Sequence, residues 1–347
     1  MPRLITNYLG LQLKNPVIVG ASNLVTDPEN LEKLERAGAA AIVYKSLFEE
    51  QIQLESHQWE IAHELYSHWD AEYVSMFPRV EHAGPAEHLV ALQRAKQQLS
   101  IPLIGSLNAV LHESWVEYAV KMEETGIDAL ELNFYANTVD YHTSGEKLVE
   151  KQLDVLKLVR DTIKIPIAVK LSPFYSNTLA VVASMDKAGA DGFVLFNRLF
   201  QPDIDIQKEE HHYPYNFSSE NDNRLALRYA GLLYGNLGAS VCSSTGIFNG
   251  ADVVKMLLAG ADAVQVVSTI YKKGIHQIEN ILEELEDWMD AKHYKTIEDF
   301  RGKLSKQKLS DPFAYKRAQY VDILMKSDVF MQYHPKQDKR HLEWDDI

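Results

Sequence analysis

Four stretches of the chain read as copies of one another: AGAAAIVYKS (37–46), TGIDALELNF (125–134), AGADGFVLFN (188–197) and AGADAVQVVST (259–269). In each, a small-residue turn carrying Gly leads directly into a short apolar run. Glycine accepts the left-handed conformation that closes a helix, so the chain can leave a helix and enter a strand within a few residues. LGASVCSSTG (237–246) is a weaker copy. IPLIGSLN (101–108) and IPIAVKLSP (165–173) announce two more strands, because Pro is tolerated at the first position of a strand, and PVIVGAS (16–22) supplies the first. The eight runs are continuously apolar rather than alternating, which fits parallel strands buried on both faces. Segments of helical period, such as WVEYAVKMEETG (115–126) and VVKMLLAG (253–260), lie between them. Eight strand–helix units in succession predict a closed (β/α)8 TIM barrel of the α/β class. The alternative, a doubly wound open sheet, would need long insertions.

The barrel is expected to occupy residues 1–305, with 306–347 as a helical, charged extension packed on it. A length of 347 residues and a hydrophobic fraction of 46% allow so large a core. The formal net charge of −14, with no basic stripe, argues against nucleic acid and anionic membrane surfaces as partners. No apolar run approaches the roughly 20 residues of a membrane span, and the N-terminus lacks the signal-peptide pattern. The expectation is a cytoplasmic protein acting on a small molecule. Cys242 is the one cysteine, which excludes an intrachain disulfide or an all-cysteine metal cluster. No metal is expected. Two segments depart from the repeat, 47–100 and 198–236. The second contains HHYPYNFSSENDN (211–223), read as a loop over the barrel mouth.

Active sites of such barrels lie at the C-terminal ends of the strands. Those ends are polar here: Ala21-Ser22, Lys45-Ser46, Asn108, Asn133, Lys170, Asn197-Arg198, Ser243-Ser244-Thr245-Gly246 and, after Val267, Ser268-Thr269. Lys170 is flanked by apolar residues, and a buried lysine is costly unless it is paired or functional; a snorkelling structural lysine is the alternative. Each asparagine taken alone would be a helix cap, whereas three at equivalent strand ends suit a convergent hydrogen-bonding site. The serine- and glycine-bearing ends of strands seven and eight stand where barrels often hold phosphate. Two lysines, three amides and a phosphate cradle suit a planar, electron-rich, phosphorylated cofactor such as a flavin nucleotide.

At this point the chain resembles the dihydroorotate dehydrogenase family, especially its class 1 members. The resemblance rests on NPVIVGAS (15–22), VYKS (43–46), ELN (131–133), VKLSP (169–173), the Asn197 strand end, SSTGI (243–247), GADAVQVVS (260–268) and EDFRGKL (298–304). It implies FMN as cofactor, hydride transfer from dihydroorotate to the flavin, a place in pyrimidine biosynthesis, and a homodimer. Carried over residue by residue, it places Ala21, Ser22, Lys45, Ser46, Asn108, Asn133 and Lys170 against FMN. Ser244, Thr245, Gly246, Val267 and Ser268 fall in the phosphate loops. Lys45 and Asn133 also match positions near the orotate ring, and Asn197 a substrate-binding asparagine.

The departures concern the substrate. The family reads ELNLSCPN or its serine version, and its Cys or Ser is the base that takes a proton from dihydroorotate. Here the run is ELNFYANTVD (131–140), which puts Ala136 at that position. Val74 stands where an orotate-binding asparagine is expected, and Arg198 follows Asn197 where Ser or Thr is usual. Tyr135, Tyr141 and His142 are the nearby candidates for a replacement base; His142 is the preferred one, since imidazole titrates near neutral pH. Lys45, Lys170 and His142 are therefore the candidate catalytic residues, and Asn133, Asn197 and Arg198 the candidate substrate-binding ones. Two alternatives stay open. One is an FMN oxidoreductase on a different substrate, with Arg198 binding an anionic group. The other is a non-redox barrel that binds a phosphorylated metabolite.

Overall fold

The computed structural model describes residues 3–53, 85–134, 141–198, 202–212 and 217–311, together with 315, 316, 321 and 325. The chain opens with a hairpin of β1 (Thr6–Tyr8) and β2 (Leu11–Leu13). There follow β3 (Val17–Val19), α1 (Pro28–Arg36), β4 (Ala41–Val43), β5 (Leu47–Phe48), α2 (Pro85–Gln98), β6 (Leu103–Asn108), α3 (His112–Glu124) and β7 (Ala129–Phe134). Next come α4 (Gly145–Thr162), β8 (Ile167–Leu171), α5 (Thr178–Lys187), β9 (Gly192–Leu195) and a small hairpin of β10 (Asp203–Asp205) and β11 (Glu210–His212). The remainder is α6 (Arg224–Leu233), β12 (Ser240–Ser244), α7 (Gly250–Ala259), β13 (Ala263–Val266), α8 (Ser268–Lys273) and α9 (Gln277–Ala291). Strands β3, β4, β6, β7, β8, β9, β12 and β13 pair in parallel in that order, and β13 closes the ring by pairing Val264–Val266 with Val17–Val19. The open-sheet alternative is excluded by that closure. The expected extension, 306–347, falls mostly outside the described residues.

The repeated turn has a physical job that extends beyond its glycine. Gly126, Gly189 and Gly260 take φ of +85°, +98° and +129°, as a helix-closing residue must. The Asp two residues on then staples the start of the neighbouring strand. Asp128 accepts from the Leu103 N–H at 2.8 Å, Asp191 from Ile167 at 2.8 Å and Asp262 from Val241 at 2.7 Å. Each carboxylate also meets a cation: Lys96 at 2.6 Å, Arg160 at 2.9 Å, and Arg301. These strand-leading N–H groups are thereby satisfied at the lower rim, where no further strand residue could accept from them.

Strand side chains alternate between two environments. Leu130, Leu132, Val169, Leu171, Val264 and Val266 point outward into the main core beneath the helices. Ala129, Ala168, Val194, Cys242, Ala263, Ile18 and Val43 point inward and fill the barrel. Two residues further along the same inward rows stand Glu131, Lys170 and Gln265. The N-terminal hairpin plugs the lower end. Its Leu9 and Gly10 both have positive φ, +56° and +73°, as a two-residue turn of right-handed twist requires. Tyr8, Leu9 and Leu13 pack into the interior cluster, and the Leu9 N–H donates to Ser240 Oγ at 3.2 Å. Gly192 is fixed by this contact: a Cβ there would meet Leu9 Cδ2 at 2.4 Å.

Because one carboxylate oxygen of Asp191 serves both Ile167 N–H and Arg160, Asp191→Ala is expected to cost about 1–3 kcal/mol. A urea unfolding midpoint unchanged from wild type would contradict the staple.

Candidate active site

Barrel geometry places Lys170, Glu131 and Gln265 just below the upper rim, all three nearly inaccessible to solvent. A charge so placed requires partners. Lys170 Nζ donates to Gln265 Oε1 at 3.1 Å and faces Glu131 Oε1 at 3.6 Å. The Gln265 amide closes the triangle by donating from Nε2 to Glu131 Oε2 at 2.6 Å. Gln265 thus fixes the ammonium and the carboxylate at once from across the ring. Beneath them the Cys242 thiol is pushed well up by burial and by Glu131, so it stays protonated.

Above this network opens a cleft. Ala21, Lys170, Asn197, Arg198, Ser244, Thr245, Gly246, Val267 and Ser268, all singled out in the sequence, line it together. Phe196, Phe217, Ser218 and Gln265 line it too, and the sequence pattern gave no reason to choose them. The other expected residues stand elsewhere on the rim. The buried Ser22 hydroxyl has no hydrogen-bond partner among the described residues. Ser46 and Ser106 share a 2.7 Å hydrogen bond, and Asn108 is buried at the end of β6. Asn133 accepts from the Asn197 amide at 2.6 Å, which joins the ends of β7 and β9. The capping alternative fails for these amides, because the helices that follow their strands, α3, α4 and α6, start at Leu111, Ser144 and Asn223. His142 and Tyr141 are exposed ahead of α4, Tyr141 almost fully. Tyr135, Ala136 and Val74 lie outside the described residues.

The loop after β12 carries backbone strain. Thr245 has φ of +78°, rare for a β-branched residue, and Gly246 follows with +75°. The Thr245 hydroxyl donates to Phe196 O at 3.2 Å and helps hold the turn. A Cβ on Gly246 would lie 2.5 Å from the Asn223 backbone nitrogen, because the loop at 217–223 packs directly on it. Val267, at φ of −139°, needs no glycine. Arg198 pairs with Asp222 of that same loop at 2.8 Å. Burial raises the Asp222 carboxyl, but the Ser219 N–H and Arg198 together outweigh it and leave it below the usual range.

Beside Lys45, the ring of Tyr44 meets that of His88 edge-on at 5.5 Å. Burial, helped by Lys45, pushes the His88 imidazole down to about 4.

The family model that matches the chain is dihydroorotate dehydrogenase, over residues 82–289. The chain is similar to the dihydroorotate dehydrogenase B (NAD(+)) catalytic subunit of Thermoplasma volcanium, 28% identical over 312 residues, which cover 87% of this chain and 98% of the relative. It is similar to the subunit of the same name from Methanocaldococcus jannaschii, 25% identical over 86% of this chain and 96% of the relative. The corresponding subunit of Methanosarcina acetivorans is 28% identical, over 85% of this chain and 94% of the relative.

Lys170→Met strands a buried carboxylate and is expected to destabilise the protein by about 3 kcal/mol, with Glu131→Gln in the same chain recovering most of the loss. Additive losses in urea unfolding would refute the coupling. The His88 shift also sets a pH dependence. The unfolded chain takes up a proton near pH 6.5, while folded His88 stays neutral until about 4. Between those values the unfolded state binds more protons, so stability falls as pH falls, by about 3 kcal/mol in all, and this contribution levels off below about 4. His88→Leu should remove that part of the slope between pH 7 and 4.5.

Proposed function

The chain belongs to the dihydroorotate dehydrogenase family, and from that membership we propose that its upper rim is the flavin site of an FMN-dependent oxidoreductase of pyrimidine biosynthesis. The observation that carries the reading is Lys170, an ammonium fixed at the floor of a cleft whose far end is built from the Thr245-Gly246 and Val267-Ser268 turns. The residues fit FMN. The Thr245-Gly246 and Val267-Ser268 turns bring small polar residues to one end of the cleft, where a phosphate monoester can sit. The unpartnered Ser22 hydroxyl and the amides of Asn108 and Asn133 suit the polar edge of a flavin ring. When bound there, FMN supplies a two-electron acceptor for hydride.

This chain's residues would do the following. Lys170 holds positive charge where the reduced ring gains negative charge. Ala21, Ser22, Lys45 and Ser46 border the ring. Ser244, Thr245, Gly246, Val267 and Ser268 hold the phosphate. Asn197, tied to Asn133, presents its amide to the substrate, and Lys45 stands ready to face the substrate's anionic groups. The proton that must leave with the hydride has no acceptor at Ala136, and His142 is the side chain we assign to that task. A second reading, a different oxidisable substrate, is favoured by Arg198, which lines the cleft while paired with Asp222 and can take a substrate carboxylate as a further partner. Family membership sets aside the non-redox alternative. We further propose a cytoplasmic homodimer, supported by the class 1 resemblance; among the described residues no helix is long and apolar enough to cross a membrane.

Purified protein is expected to show a flavin absorbance spectrum that dihydroorotate bleaches without oxygen. Bleaching by another reductant but not by dihydroorotate would move the conclusion to the second reading. Lys170→Ala should slow flavin reduction by at least about tenfold, and His142→Ala should lower turnover. Unchanged rates in stopped-flow reduction or in steady-state assays would remove the respective role.

A further inference from the structure

Glu131 is a carboxylate that the fold keeps out of water. It is 1% exposed, and in the β7–β8 register it faces Ala168, one inward step below Lys170, whose own register partner is Asn133. Its Oε2 accepts from Gln265 Nε2 at 2.6 Å, while its Oε1 has no hydrogen-bond partner among the described residues and faces the Lys170 ammonium at 3.6 Å. Beneath it stand the Cys242 thiol and the Tyr8 hydroxyl. Both are pushed well up, by burial first and with Glu131 among the further causes, so both are neutral. Lys170 is therefore the cation that answers this carboxylate.

The pair presents the cleft with less positive charge than a lone lysine would. Lys170 and Gln265 line the cleft, and the Glu131 charge stands one step behind them. Two charges this close and away from water interact far more strongly than at a surface, and each also acts on whatever lies above. Gln265 holds the arrangement from both sides, since its Oε1 accepts from Lys170 Nζ at 3.1 Å and its Nε2 donates to Glu131. Gly20 leaves room for it: a Cβ there would lie 3.2 Å from Gln265 Oε1 and 2.8 Å from Val267 Cγ2. A hydride taken up by a flavin ring leaves negative charge on that ring. Lys170 favours that charge, and Glu131 opposes it.

We propose that Glu131 is a positioning residue that lowers the reduction potential of the bound flavin: it holds Lys170 at the cleft floor and offsets the stabilisation that the ammonium gives to the reduced ring. The proposal rests on the flavin reading above and adds to it a tuning group beneath the cleft floor. An offset of this kind suits a flavin that must pass its electrons on, because a reduced ring held too firmly is a poor donor to the second substrate. It also accounts for a buried carboxylate inside an otherwise apolar strand.

The reduction potential of the bound flavin, read against a reference dye during slow anaerobic reduction, tests this without any turnover of substrate. Glu131→Gln removes the charge and keeps an amide oxygen to accept from Gln265. It should shift the equilibrium toward reduced flavin at least about tenfold, which for two electrons is a rise of about 30 mV. Glu131→Asp disturbs the packing more but keeps the charge, and its equilibrium should stay within about threefold of wild type. A potential that Glu131→Gln leaves unchanged or lowers, or that Glu131→Asp raises as far as Glu131→Gln does, overturns the proposal and leaves the flavin site standing. A Glu131→Gln protein that no longer folds or holds FMN would mark the carboxylate as structural and overturn it too. Wild-type protein that takes up no FMN overturns the flavin reading itself.

Discussion

A single ammonium group joins the interior of this barrel to the cleft above it. Lys170 cannot stand in so dry a position without Gln265 and Glu131, and those come from strands on different sides of the ring. The triangle forms only if the ring closes in the observed register. The packing below it follows the same logic. Where the inward rows carry Glu131, Lys170 and Gln265, the preceding inward positions carry Ala129, Ala168 and Ala263, so bulk lower in the barrel is left to the plug. Charge at the top and small residues beneath are two consequences of one closed sheet.

The architecture was legible because its signal is repeated and local. Gly-x-Asp turns recur ahead of apolar runs, and eight such runs leave few alternatives. What each Asp does was not legible. Asp128, Asp191 and Asp262 look like ordinary turn residues until the neighbouring strand is in place to donate to them. The N-terminal plug escaped for a related reason. Its strands have three residues each, and its turn puts a leucine, of all residues, at positive φ. Tertiary packing against Gly192 and Ser240 decides that conformation, and local preference would have argued against it.

The site divides in the same way. Residues at strand ends could be found by counting strands, and ten of those singled out line one cleft. Gln265 was hidden inside an apolar run, where one amide among valines reads as a strand residue of no special note. Ser218 was hidden among other serines and asparagines, since a loop residue has no periodicity to mark the way it faces. Thr245 shows a third kind of concealment. Positive φ is ordinarily the place of a glycine, yet the strained residue here is the threonine just ahead of Gly246.

The stopper formed by Tyr8, Leu9 and Leu13 has a consequence for traffic. With the floor sealed, the described residues leave the Lys170 cleft open at the upper rim, beside the Asp222–Arg198 pair. A molecule that reaches Lys170 through that cleft arrives from the rim, on the side opposite the N-terminal hairpin, so approach and departure share one end of the barrel.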